Sequence, residues 1–132
     1  MKIIGICCLL LFWGRLQAQT KPVAGVGRKT LLTQILAPQT VEEVKMEAIT
    51  LAPGAAAPAH YHPGEVYGYV TAGEIWYQPA GDSLVRLHAG DPFREAAGKQ
   101  ILVFKNAQTN QPATFLVFYL LKKNQPVIIL QP

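Results

Sequence analysis

His60-Tyr61-His62-Pro63-Gly64-Glu65-Val66-Tyr67-Gly68-Tyr69-Val70-Thr71-Ala72-Gly73 is the stretch that decides the fold. Two imidazoles at i and i+2 on an extended chain point to one face, so both can converge on a single ligand. Pro63-Gly64 interrupts the strand after them, a run of β-branched and aromatic residues follows, and Gly73 supplies a turn. Gly54 lies six residues before His60, and Gly90-Asp91 opens a further turn downstream. A pair of histidines in this spacing is by itself an ordinary surface pattern. The ordered series of glycines around it gives it weight.

Outward from this stretch the chain breaks into short apolar segments punctuated by turn residues such as Pro53-Gly54, Gly81-Asp82, Gly90-Asp91-Pro92, Gly98 and Asn110. That pattern predicts an all-β sandwich or barrel. Strands are expected at 30–36, 44–51, 66–71, 75–78, 84–87, 101–105, 113–121 and 127–130. Phe115 to Leu121 is almost continuously apolar, as in a central strand covered on both faces, and 127–130 suits an edge strand that pairs with another copy. One segment is ambiguous. Thr40-Val41-Glu42-Glu43 resembles a capping box that would open a helix, whereas Val44, Met46 and Ala48 alternate with Lys45 and Glu47 as in a half-buried strand. The strand is preferred because a lone helix would have no helical neighbour to pack against.

The 132 residues suit one domain. Lys2, the apolar run 3–13 and Ala18 occur in the order of a secretory signal cleaved after Ala18, although Leu16 is bulkier than the small residue preferred there. The run is shorter than the about 20 apolar residues of a membrane span. A buried first helix is the alternative. Cleavage would leave 114 residues, with 19–27 a flexible lead-in and 28–132 the folded domain. Both cysteines, Cys7 and Cys8, would leave with the signal, which removes disulfides and thiolate metal sites from the mature chain. They also lie inside the apolar run rather than at its end, against a lipid anchor. Ten basic residues would then face eight acidic ones, scattered along the chain, so no nucleic-acid surface is expected. The expected location is secreted or periplasmic, with no membrane anchor after cleavage.

The glycine, paired histidines, Pro-Gly-Glu, Tyr69-Val70 and Gly73 together resemble the first motif of the cupin superfamily, and Gly90-Asp91 with Ala96-Ala97-Gly98 resembles its second. The likeness runs from about Arg28 to the end of the chain and is greatest to small, single-domain secreted bacterial cupins. It implies a double-stranded β-helix, or jelly-roll barrel. It further implies a metal held inside the barrel by two histidines and a glutamate of the first motif and a third histidine of the second.

Two departures from that pattern matter. The usual place of the glutamate, counted back from Gly73, is Val66, while Glu65 comes one residue early and a one-residue shift turns a side chain to the opposite strand face. The third histidine should lie three residues after Gly98, where this chain has Ile101; Gln100 beside it is a neutral amide and a poor ligand. The candidate metal set is therefore His60, His62 and Glu65, and the site reads as incomplete. Among other polar residues, His88 suits a loop, Asp91 suits a turn-organising role, and Arg94-Glu95 reads as a solvated ion pair in preference to the alternative of a pocket pair. Trp76 and Tyr77 suit either cavity walls or plain packing.

Three functions compete on this basis. The first is an extracytoplasmic barrel that binds a small polar molecule with His60 and His62. The second is a metal-dependent enzyme of dioxygenase, decarboxylase or isomerase type, using His60, His62 and Glu65 with manganese, iron, zinc or nickel. The third is a structural barrel that forms homodimers through sheet edges. No residue is assigned a catalytic role.

Overall fold

The structure is a computed structural model and describes residues 24–131, so the signal expected at 1–18 lies outside the described residues. Among those residues there are ten strands and no helix: β1 (Glu43–Leu51), β2 (Ala56–Ala57), β3 (His60–Tyr61), β4 (Glu65–Ala72), β5 (Glu74–Pro79), β6 (Val85–His88), β7 (Pro92–Glu95), β8 (Gln100–Asn106), β9 (Ala113–Leu121) and β10 (Ile129–Leu130). All pairings are antiparallel. One sheet has the order β1-β9-β4-β7, the other β10-β3-β8-β5-β6 with β2 added against β8. Apart from the β5–β6 hairpin, neighbours in each sheet are distant in sequence, the mark of a jelly roll rather than a meander.

The core lies between the inner faces of the two sheets. Val66 and Val70 of β4, Ile75 and Tyr77 of β5, Phe93 of β7, Ile101 and Phe104 of β8, and Phe115, Val117 and Tyr119 of β9 are buried there. The aromatic members interlock, with Phe93 5.5 Å from Phe104 and 5.9 Å from Phe115, mostly edge-on. Gly68 makes room for this cluster, since a Cβ on it would stand 2.0 Å from the Phe93 ring. Gly73, at φ +75°, turns the chain from β4 into β5, where a side chain would strike the backbone at Ala113.

Several sequence expectations need correction. The segment 30–36 is not a strand but an exposed irregular run in which Ile35 is 89% exposed. Its apolar residues lack the alternation that would give one face a sheet to cover. The ambiguous segment at 40–51 is strand from Glu43 onward, in register with the whole of β9. β9 is central between β1 and β4, yet it buries only one face: alternate residues point inward, and Phe118 on the other face is exposed. The short strands β2, β3 and β7 were hidden by the prolines and glycines that flank them. β10 lies at a sheet edge and pairs with β3.

Candidate metal centre

β3 and the turn after it carry the two histidines, and both imidazoles are buried. His60 Nδ1 lies 2.8 Å from the carbonyl oxygen of Pro58, and His62 Nδ1 bonds the carbonyl oxygen of Val127. A carbonyl can only accept, so each Nδ1 carries the proton and donates it. The lone pair of each neutral ring is thereby left on Nε2. Anchoring the far nitrogen on a backbone acceptor is the usual way a protein fixes a metal-binding imidazole. The two rings meet edge to face at 5.0 Å.

The third group comes from β7. Along that strand Phe93 and Glu95 face inward while Pro92 and Arg94 face outward. Glu95 is 4% exposed, and its Oε2 lies 2.8 Å from His62 Nε2. One ligand atom from each of His60, His62 and Glu95 can be chosen so that all lie within 4.8 Å of one another. The other carboxylate oxygen, Glu95 Oε1, is buried with no hydrogen-bond partner. An orphaned buried carboxylate oxygen costs free energy, and a cation beside it would offset that cost. The donor set fits a divalent ion.

Glu65, the carboxylate that the sequence offered, lies elsewhere. Both of its oxygens are taken by Arg94, at 2.7 and 2.9 Å, and Oε1 also accepts a 3.4 Å bond from the Ala97 amide. The cause is the pleat: Val66 faces the cavity, so its neighbour Glu65 faces the other way, as Arg94 does beside Glu95. Arg94-Glu95 is accordingly not a solvated pair with itself. The strand divides it, sending Arg94 to Glu65 and Glu95 to the histidines. Val66 and Glu95 are direct partners in the β4–β7 pairing. The carboxylate that the cupin resemblance places at Val66 is thus supplied from straight across the ladder. Ile101 likewise stands opposite His60 in the β3–β8 pairing and is buried, so the position of the missing third histidine holds hydrocarbon.

Burial lowers the pKa of His62, but the hydrogen bond to Glu95, the charge of Glu95 and the Val127 carbonyl outweigh it and raise it above the ordinary 6.5. With Nδ1 already donating to Val127, the 2.8 Å contact of Nε2 with Glu95 is a hydrogen bond only when a proton lies between them, so without an ion the pair favours holding one. The three groups form the polar end of a cavity of about 120 Å³, walled by residues such as Val66, Phe93, Phe104, Phe115 and Val117. Tyr119 also lines it, 5.6 Å from the His62 ring, with its hydroxyl pKa pushed up by burial and then by Glu47. Trp76 and Tyr77 are not among the lining residues: Trp76 lies under the Arg86 guanidinium, and the Tyr77 hydroxyl donates to the Arg94 carbonyl. His88 is not a loop residue but the exposed last residue of β6, and the Asp91 carboxylate accepts its backbone amide at 2.8 Å, which organises the turn that follows.

Residues 48–119 match the Cupin domain family, a span that covers the strands carrying all three groups. The chain is a cupin. Solved structures agree on the fold. A DMSP lyase from Ruegeria pomeroyi superimposes with a TM-score of 0.57 at 22% identity, over 67% of this chain and 43% of the lyase. An oxalate oxidase in complex with the substrate analogue glycolate gives 0.57 at 24%, over 65% of this chain and 45% of the oxidase. A predicted oxalate decarboxylase from Thermotoga maritima gives 0.52 at 27%, over 58% of this chain and 65% of that protein. This cupin spans under half the length of the lyase and the oxidase. No protein of curated function matches the sequence.

Proposed function

We propose that this cupin is a metal-dependent small-molecule site: His60, His62 and Glu95 hold a divalent ion, and the barrel cavity takes a ligand that offers it an oxygen. The observation that carries this is the pairing of two Nδ1-anchored imidazoles with a buried carboxylate that has one oxygen unpartnered. Two imidazoles and one carboxylate form the donor set of iron, manganese and zinc sites that keep positions open for water or substrate. An ion so held would act as a Lewis acid on an oxygen of the bound molecule. The chain's own part is to orient the ligand nitrogens through Pro58 and Val127, to exclude water with aromatic walls, and to keep a proton on His62 when no ion is present.

The test is metal titration by calorimetry on protein purified without a metal-affinity column. Wild type should bind one divalent ion per chain, and His60→Ala, His62→Ala and Glu95→Ala should each abolish tight binding. Wild type that takes up no manganese, iron or zinc would leave a metal-free polar pocket as the function. Export with removal of 1–18 is part of the same proposal, checked by the mass of protein secreted from a native-like host. An exported chain that keeps those residues would refute it. Pairing of two copies through sheet edges is checked by light scattering, where a monomer at high concentration would exclude it.

A further inference from the structure

We propose that the ligand of this site is a small monoanion with a hydrocarbon body, such as a branched-chain or single-ring carboxylate, rather than a dicarboxylate or a sugar. The inference rests on the metal reading above for the ligand's head and on the cavity walls alone for its body.

The head follows from charge. Two neutral imidazoles and one carboxylate around a divalent ion leave the site one net positive charge, which a single anionic oxygen group balances. Among the described residues, Tyr119 is the only polar side chain lining the cavity beyond His60, His62 and Glu95. No arginine, lysine, asparagine, glutamine, serine or threonine among them lines it. A second carboxylate, or the hydroxyls of a sugar, would be pressed against Val66, Phe93 and Phe115 without donors, and an unpaired buried charge or hydroxyl is strongly disfavoured.

The body follows from the walls. Away from the metal end the lining is aromatic and aliphatic, and the rings of Phe93, Phe104 and Phe115 interlock, which keeps the cavity from collapsing onto a smaller guest. Its volume of about 120 Å³ is somewhat below the roughly 150 Å³ of an engineered apolar cavity that takes up benzene. That limits the hydrocarbon part to about one six-membered ring or a branched chain of similar bulk.

Two titrations test this. On zinc-loaded protein, calorimetry with acetate, propanoate, butanoate, 3-methylbutanoate and benzoate should show affinity rising about fourfold per added methylene, with benzoate among the tightest. Glutarate, whose second carboxylate is too distant to share the ion, and glucose should form no complex with the zinc-loaded protein. Ile49→Phe, on the more exposed β1 wall, should weaken benzoate at least tenfold while leaving the zinc affinity unchanged. On protein kept metal-free with a chelator, toluene should raise the melting temperature, and Ile49→Phe should remove that rise. Affinity that stays flat along the series, or any glucose or glutarate complex, would overturn the proposal. If no ion binds at all, the metal reading fails, and the toluene titration still decides the hydrocarbon half: no stabilisation means the walls do not select an apolar body.

Discussion

At the scale of single residues, the two carboxylates Glu65 and Glu95 make opposite predictions. Glu95→Gln should lower metal affinity by more than about 100-fold, beyond what the loss of a ligand's supporting partner costs. Glu65→Ala should leave metal affinity in place and instead cost about 1–3 kcal/mol of stability, since it strips Arg94 of a bidentate partner. Denaturant melts and calorimetry on both variants separate the roles, and loss of metal in Glu65→Ala would restore Glu65 as the ligand. The proton on His62 adds a pH signature. A folded-state pKa above the ordinary 6.5 means the His62–Glu95 pair contributes its full stability below pH 6.5 and loses it as pH rises through the raised value. Metal binding needs that same nitrogen deprotonated, so ion affinity should climb over the window in which the metal-free pair weakens. Melting temperatures of chelated wild type and Glu95→Gln across that window should converge as pH increases. An advantage of wild type that grows with pH would contradict the shared proton.

At the scale of strands, what the sequence made legible and what it concealed have the same cause, the two-residue period. The alternation in Val44, Met46 and Ala48 placed β1 as a strand but on the wrong face: Val44 and Met46 are each 62% exposed, while Ile49 and Leu51 pack against the core. The glycine-bounded run after His62 placed β4 and the inward face of Val66. The same rule turned Glu65 away from the cavity. It was not applied to Pro92-Phe93-Arg94-Glu95, because Gly90-Asp91-Pro92 reads as a turn and hides the four-residue strand behind it. Once β7 is recognised, Phe93 and Glu95 must share a face, and its pairing with β4 puts Glu95 beside the histidines. Cross-strand neighbours of this kind leave no local trace, so the donor that completes the site was the one residue that needed the fold to find it. The β4–β7 ladder can be probed directly. Gly68 and Phe93 are partners in it, and Gly68→Ala should cost about 1–3 kcal/mol because the ring, held by Tyr77, Phe104 and Phe115, cannot swing aside. Adding Phe93→Leu should return part of that loss, a coupling that a double-mutant cycle reads. Strictly additive costs would mean the two do not meet. On β8, Ile101→His should raise metal affinity, since residue 101 shares a sheet face with its partner His60.

At the scale of the whole molecule, the three donors do not belong to one sheet. His60 sits on β3 in the larger sheet, Glu95 on β7 in the four-stranded sheet, and His62 in the turn that leads from one to the other. An ion held by all three would therefore fasten the two layers of the barrel to each other at one end of the cavity. Binding to the native state alone stabilises it by mass action, about 2.7 kcal/mol when free ion stands at 100 times its dissociation constant. In a domain of roughly this size that amounts to a rise in melting temperature of about 10 °C or more. The rise should follow the logarithm of ion concentration, should be reversed by a chelator, and should be absent in Glu95→Gln and His60→Ala, which each free one sheet from the ion. A calorimetric scan with and without manganese or zinc measures it. Equal stabilisation of wild type and Glu95→Gln would place the ion outside the barrel, away from the cavity that His60, His62 and Glu95 line.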